Sequence, residues 1–145
     1  MRVYSNSIGR AIYYGVVPAT PVNITGTING RDYGVIMRFR GSGSTSSYNV
    51  SVEATRETSS NPNHNNTSIA FDEGDLALLL AFVDNRPTTM GAPADSIKIS
   101  EDSPGGSIGA AYKQIDVAGN YAWGSWTTDE YEDNSAAYVI KIQEA

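Results

Sequence analysis

The chain has 145 residues, no cysteine, one histidine and a formal net charge of −6. This is the length of one ordinary domain, long enough to bury a sizeable core without a staple. The composition excludes disulfides, cysteine zinc sites and thiol nucleophiles, and the acidic balance argues against nucleic acid as a partner, because phosphate recognition needs a basic footprint.

Charge is unevenly spread. Residues 1–56 carry six arginines (2, 10, 31, 38, 40 and 56) against Asp32 and Glu53, a balance of +4. Residues 57–145 carry four basic and fourteen acidic side chains, a balance of −10. Either the fold interleaves the two halves, or a basic face docks on an acidic partner or a neighbouring copy. The start of the chain is polar and lacks the apolar core of a signal peptide. The longest apolar run, residues 76–83, is too short to span a bilayer. Synthesis in a host cytoplasm without a signal peptide, and no membrane partner, are the expectations.

In chain order, residues 11–17 (AIYYGVV) predict a first strand closed by Pro18. Residues 22–28 and 31–39 flank Asn29-Gly30, the pair best suited to a type I′ hairpin because both central positions need positive φ. Residues 41–47 (GSGSTSS) read as a flexible connection. Residues 48–54 alternate: Tyr48, Val50, Val52 and Ala54 predict a buried face, and Asn49, Ser51 and Glu53 a solvated one. Residues 57–66 read as a polar loop in which His64 is solvated, and residues 67–71 as a short strand.

Residues 76–83 (LALLLAFV) have leucines at helical spacing, yet their length and their Gly-Asp and Asp-Asn bounds suit a strand buried on both faces. A central strand is the expectation. Asp75, following Gly74, can bond its local backbone and fix the turn into it. A Pro/Gly loop then leads to strands at 96–100, 109–117, 121–127 and 136–143. About nine or ten short strands without a long helix predict an all-β protein, a two-layer antiparallel β-sandwich of jelly-roll type. The domains expected are an N-terminal arm or first strand over 1–20 and one sandwich over 21–145.

The chemistry-bearing residues form no recognisable constellation. A nucleophile, base and orienting acid cannot be placed around His64, and no Gly-x-Ser-x-Gly elbow occurs. The acidic clusters Asp72/Glu73/Asp75 and Asp129/Glu130/Glu132/Asp133 lack the alternating spacing of a calcium loop. No enzyme, no catalytic residue, no metal and no cofactor are expected. Tyr121, Trp123, Trp126 and Tyr131 cluster along the chain. In a regular strand Tyr121 and Trp123 share one face and Trp126 takes the other.

The run Thr67–Phe71, the turn Asp72-Glu73-Gly74-Asp75, the apolar strand from Leu76, then Ala110-Ala111-Tyr112-Lys113-Gln114, the Trp-bearing stretch 121–126 and the final strand 136–142 together resemble β-sandwich domains of bacteriophage structural proteins and of some bacterial surface proteins. The likeness covers residues 67–143. It departs after Asp84, where such domains often carry Gly-Trp and this chain has Met90-Gly91-Ala92-Pro93. The resemblance implies a virion or cell-surface setting and no reaction. It points to a capsid decoration protein working as a homo-oligomer, with a trimer as the candidate symmetry, against the major capsid protein or another virion protein. Residues 1–20 would be its docking arm, with Arg2, Arg10, Tyr13 and Tyr14 carrying the contact, since Arg and Tyr are enriched in binding hot spots. The alternative is a carbohydrate-binding module or adhesin, including a tail-fibre or baseplate component, with Trp123, Trp126 and Tyr131 as the sugar-stacking patch.

Overall fold

The structure, a computed structural model, describes residues 2–5, 11–14, 37, 48–58, 61–64, 67–83, 89–101, 108–129 and 135–144. Among these there is no helix, and every strand pairing is antiparallel. The chain divides into two compact units, Met1–Asp32 and Tyr33–Ala145. In the first, β1 (Arg2–Ser5) pairs with β2 (Ala11–Tyr14), with Arg2 opposite Tyr14. The predicted hairpin around Asn29-Gly30 lies outside the described residues.

The second unit is built on a five-stranded sheet in the order β3 (Tyr48–Thr58), β11 (Ser135–Glu144), β5 (Leu76–Val83), β8 (Ile108–Gln114), β7 (Ile97–Glu101). Two short ribbons accompany it: β4 (Ile69–Phe71) with β9 (Gly119–Tyr121), and β6 (Met90–Gly91) with β10 (Thr127–Thr128). β5 is the middle strand, as its sequence requires. Its odd-numbered side chains, Ala77, Leu79, Ala81 and Val83, join Ala111 and Val139 on one face. Ile69 and Phe71 of β4, Met90 of β6, Trp123 and Trp126 complete that core. The even-numbered Leu78 and Leu80 are also buried, as are Tyr138 and Ile140 beside them on β11. A strand covered on both faces has no position for a polar side chain, which is why LALLLAFV reads as an unbroken apolar run.

The turn into β5 follows its sequence logic. Gly74 has φ of +91°, a left-handed conformation costly for a residue with a Cβ. The Asp75 carboxylate accepts the Asp72 backbone N–H at 2.8 Å, and Asp75 N–H returns to the Asp72 carbonyl at 3.2 Å. The turn is clipped to the end of β8 by Gly74 N–H to Ile115 O at 2.8 Å and Ile115 N–H to Asp75 O at 2.9 Å.

Several expectations need correction. The stretch 121–127 is not one strand: β9 ends at Tyr121, Ser125 makes an isolated bridge to Asn63, and β10 begins at Thr127. That break turns both tryptophans inward. Residues 57–66 are not a plain polar loop, because β3 runs on to Thr58 and Pro62 and His64 are buried. Gly119 and Asn120, which fall between the strands expected at 109–117 and 121–127, lie in β9. The described strands define a five-stranded sheet with ribbons over one face; they do not lay out a second sheet of comparable width from which a jelly roll would be assigned.

Candidate functional site

Two polar arrangements lie inside the second unit, and both serve the fold. The first is centred on Asp75. Lys141 of β11 reaches its carboxylate at 3.2 Å, with side chains only 12% and 6% exposed. The same ammonium donates to the Ala70 carbonyl at 3.0 Å and stands 5.2 Å above the centre of the Phe71 ring. Gln143 adds a donor to Asp75 at 3.3 Å, and Gln114 caps the Gly74 carbonyl at 3.0 Å. A buried charge is tolerable when it is paired and its remaining lone pairs are served. That condition is met here, and the result ties β4, β5, β8 and β11 together.

The second arrangement corrects the reading of His64. Its side chain is 3% exposed and sits behind Trp126, whose indole N–H donates to His64 Nε2 at 3.1 Å. Backbone bonds hold the two segments together: Trp126 N–H to Pro62 O at 2.8 Å and His64 N–H to Gly124 O at 3.3 Å. An Nε2 that accepts must be unprotonated, so the neutral ring carries its proton on Nδ1. Nδ1 has no partner among the described residues. Burial lowers the His64 pKa from 6.5 to about 4, because the charged form is denied water.

Trp123 and Trp126, the alternative glycan contacts, are 3% and 0% exposed. Phe71 meets Trp123 edge-on at 5.7 Å, and Tyr121 stacks on Trp123 with rings 16° from parallel. A Cβ placed on Gly109 would come within 2.7 Å of the Trp126 ring. Neither indole offers a face to a sugar. Tyr131 lies outside the described residues. So do Arg10 and, of the second acidic cluster, Glu130, Glu132 and Asp133; Asp129 is exposed and accepts the Thr89 N–H at 3.1 Å. Arg2 lies on β1 and Tyr13 and Tyr14 on β2, in one ribbon. No three His, Asp or Glu side chains among the described residues come together in a way that could hold a metal ion.

Apolar exposure concentrates elsewhere. Ile97 and Ile99 of β7 are 59% and 42% exposed, and Val117, just past β8, is 67% exposed. β7 is held at its start by a turn in which Asp95 adopts φ of 60°, a conformation Asp tolerates, and Ser96 donates to Pro93 O at 2.6 Å. Lys98 reaches across to the Met90 carbonyl at 3.0 Å. A shallow groove of about 420 Å³ opens between the Asp95-Ser96 turn and the end of β8, with Ile97 and Tyr112 in its wall. Sequence alternation alone would have buried Ile97 and Ile99; only the strand order makes them an edge.

Comparison of the chain with protein-family models, curated proteins and solved structures gives no match.

Proposed function

We propose that this chain is a non-enzymatic structural protein that works by protein–protein contact, and more specifically a decoration protein on a bacteriophage capsid. The observation that carries the contact role is how its side chains are used. His64 and Asp75 are engaged inside the fold, whereas among the described residues two exposed isoleucines, Ile97 and Ile99, stand together on a sheet edge. Exposed apolar groups gathered at one place favour an interface. The virion setting rests on the sequence resemblance over residues 67–143.

In this role the protein would stabilise a shell by linkage. Any contact made with the assembled shell and not with its dissociated subunits favours the shell by mass action. The test is co-sedimentation with capsid shells of the phage that encodes the chain, with shell melting followed in parallel. Saturable binding that raises the shell's melting temperature is expected. A protein that binds neither shell nor tail would overturn the reading.

A further inference from the structure

His64 is the chain's single histidine, the side-chain type whose charge ordinarily changes between pH 5 and 8. It is carried by a short segment, residues 61–64, that lies outside the strands apart from the isolated bridge of Asn63 to Ser125. The segment is fastened to 124–128 by Trp126 N–H on Pro62 O, His64 N–H on Gly124 O and the Thr128 hydroxyl on Asn61 Oδ1 at 2.9 Å. A segment held this way can open without disturbing the five-stranded sheet.

The buried pair admits one protonation state. With the indole N–H donating to Nε2, the ring's own proton stands on Nδ1, which is buried and meets no acceptor. A second proton can enter only at Nε2. There it would face the indole N–H, donor against donor, because an imidazolium has two donors and no acceptor. The closed fold would then bury both ring N–H groups unpaired and charged, a costly arrangement. Water can serve them only if the ring leaves its place.

No charge beside the pair offsets this. Among the described residues, Trp126 packs against Gly109 of β8, with Met90 at the same spot. Residues 61–64 and 124–128, Met90-Gly91 and β8 from Ile108 to Ala111 hold no charged side chain other than His64 itself. The charged groups that reach these segments are Lys98, on the Met90 carbonyl, and the exposed Asp129, on the Thr89 N–H. Burial is what holds the His64 pKa low, at about 4.

We propose that the His64–Trp126 pair is an acid-operated latch: one proton taken from solvent onto His64 Nε2 releases residues 61–64 from 124–126 and bares the indole of Trp126, while the sheet around β5 stays folded. The neutral protein keeps this apolar surface covered, and the acidified protein displays it. Neither the latch nor its test depends on the capsid role.

The experiment is amide hydrogen exchange on the full chain at about pH 7.5 and about pH 4.5, with protection factors corrected for the intrinsic pH dependence of exchange. The protection of the Trp126 and His64 amides is expected to fall on the order of 70-fold, the ratio set by a pKa of 6.5 for the open ring and about 4 for the closed one. Amides of Leu76–Val83 keep their protection. H64Q, which offers the indole an acceptor that takes up no proton, is expected to hold the Trp126 amide to within about threefold over the same range. The ring resonances of the single histidine give a second readout that needs no variant: the Nδ1–H tautomer at neutral pH and a midpoint well below 6.5. Three results overturn the proposal: a Trp126 amide equally protected at both pH values, protection lost together with that of Leu76–Val83, or a histidine that titrates at its ordinary 6.5. An equal fall in H64Q would likewise overturn it, by assigning the opening to carboxylates.

Discussion

β5 and β7 belong to one sheet and are separated by a single strand, yet they are built for opposite ends. β5 is apolar at every position and buried on both faces, and the charges near it are engaged: Asp75 by Lys141, the Asp72 N–H and Gln143. β7 carries two isoleucines among polar residues and leaves both of them in water. The same backbone ladder serves both. On the function proposed above, stability and interaction are separable in this molecule, the first residing in the middle of the sheet and the second assigned to its edge.

Substitutions can break that separation, or sharpen it. The largest effect is expected at Trp126. Truncation to Ala leaves a cavity under β8 and removes the His64 partner, for a loss of about 3–5 kcal/mol in urea unfolding. A loss near 0.5 kcal/mol would mean that the ring is not part of the core. Next comes Lys141→Ala, which strands the Asp75 carboxylate in a buried turn. The expected loss is about 3 kcal/mol, the low end for a broken buried pair because the Asp72 N–H and Gln143 remain. Asp75→Asn should restore much of it in the double variant, as a double-mutant cycle would show.

Acid acts on His64. Its folded pKa, about 4, lies below the unfolded value of 6.5, so the unfolded chain takes up the proton first as pH falls. The His64 contribution is therefore intact above pH 6.5, declines between 6.5 and 4, and is fully lost below 4, a total of about 3 kcal/mol. His64→Gln keeps an acceptor for the indole N–H without a titrating ring. Unfolding measured between pH 4 and 6.5 should then flatten relative to the parent. An unchanged slope would assign the acid response to carboxylates. The smallest effect on stability is expected at the edge: Ile97→Lys should shift unfolding by less than about 0.5 kcal/mol, as at other exposed sites.

Much of this fold is legible in the residues. The unbroken apolar run of β5 points to the sheet centre, and Gly74-Asp75 to the turn that launches it. The break after Tyr121 is not legible, because nothing local in Ala122-Trp123-Gly124-Ser125 forbids a strand; pairing with Asn63 decides it. The burial of His64 is hidden by its Asn- and Pro-rich surroundings, and the clue available was that a core Trp must find an acceptor for its N–H. The two-residue strands β6 and β10 are too short to leave a period. The edge is least legible of all. Ile97, Lys98 and Ile99 alternate as in a half-buried strand, and the register irregularity between Lys98 and Ser100 exists only relative to β8.

Amide hydrogen exchange of the parent chain, alone and mixed with capsid shells, addresses the central claim most directly. If β7 is the contact edge, amides within Ile97–Glu101 slow when shells are added, while those of Leu76–Val83 stay slow in both samples. If the β7 amides exchange at the same rate in both samples while the protein co-sediments with the shells, the contact lies elsewhere and the assignment of interaction to the edge is wrong.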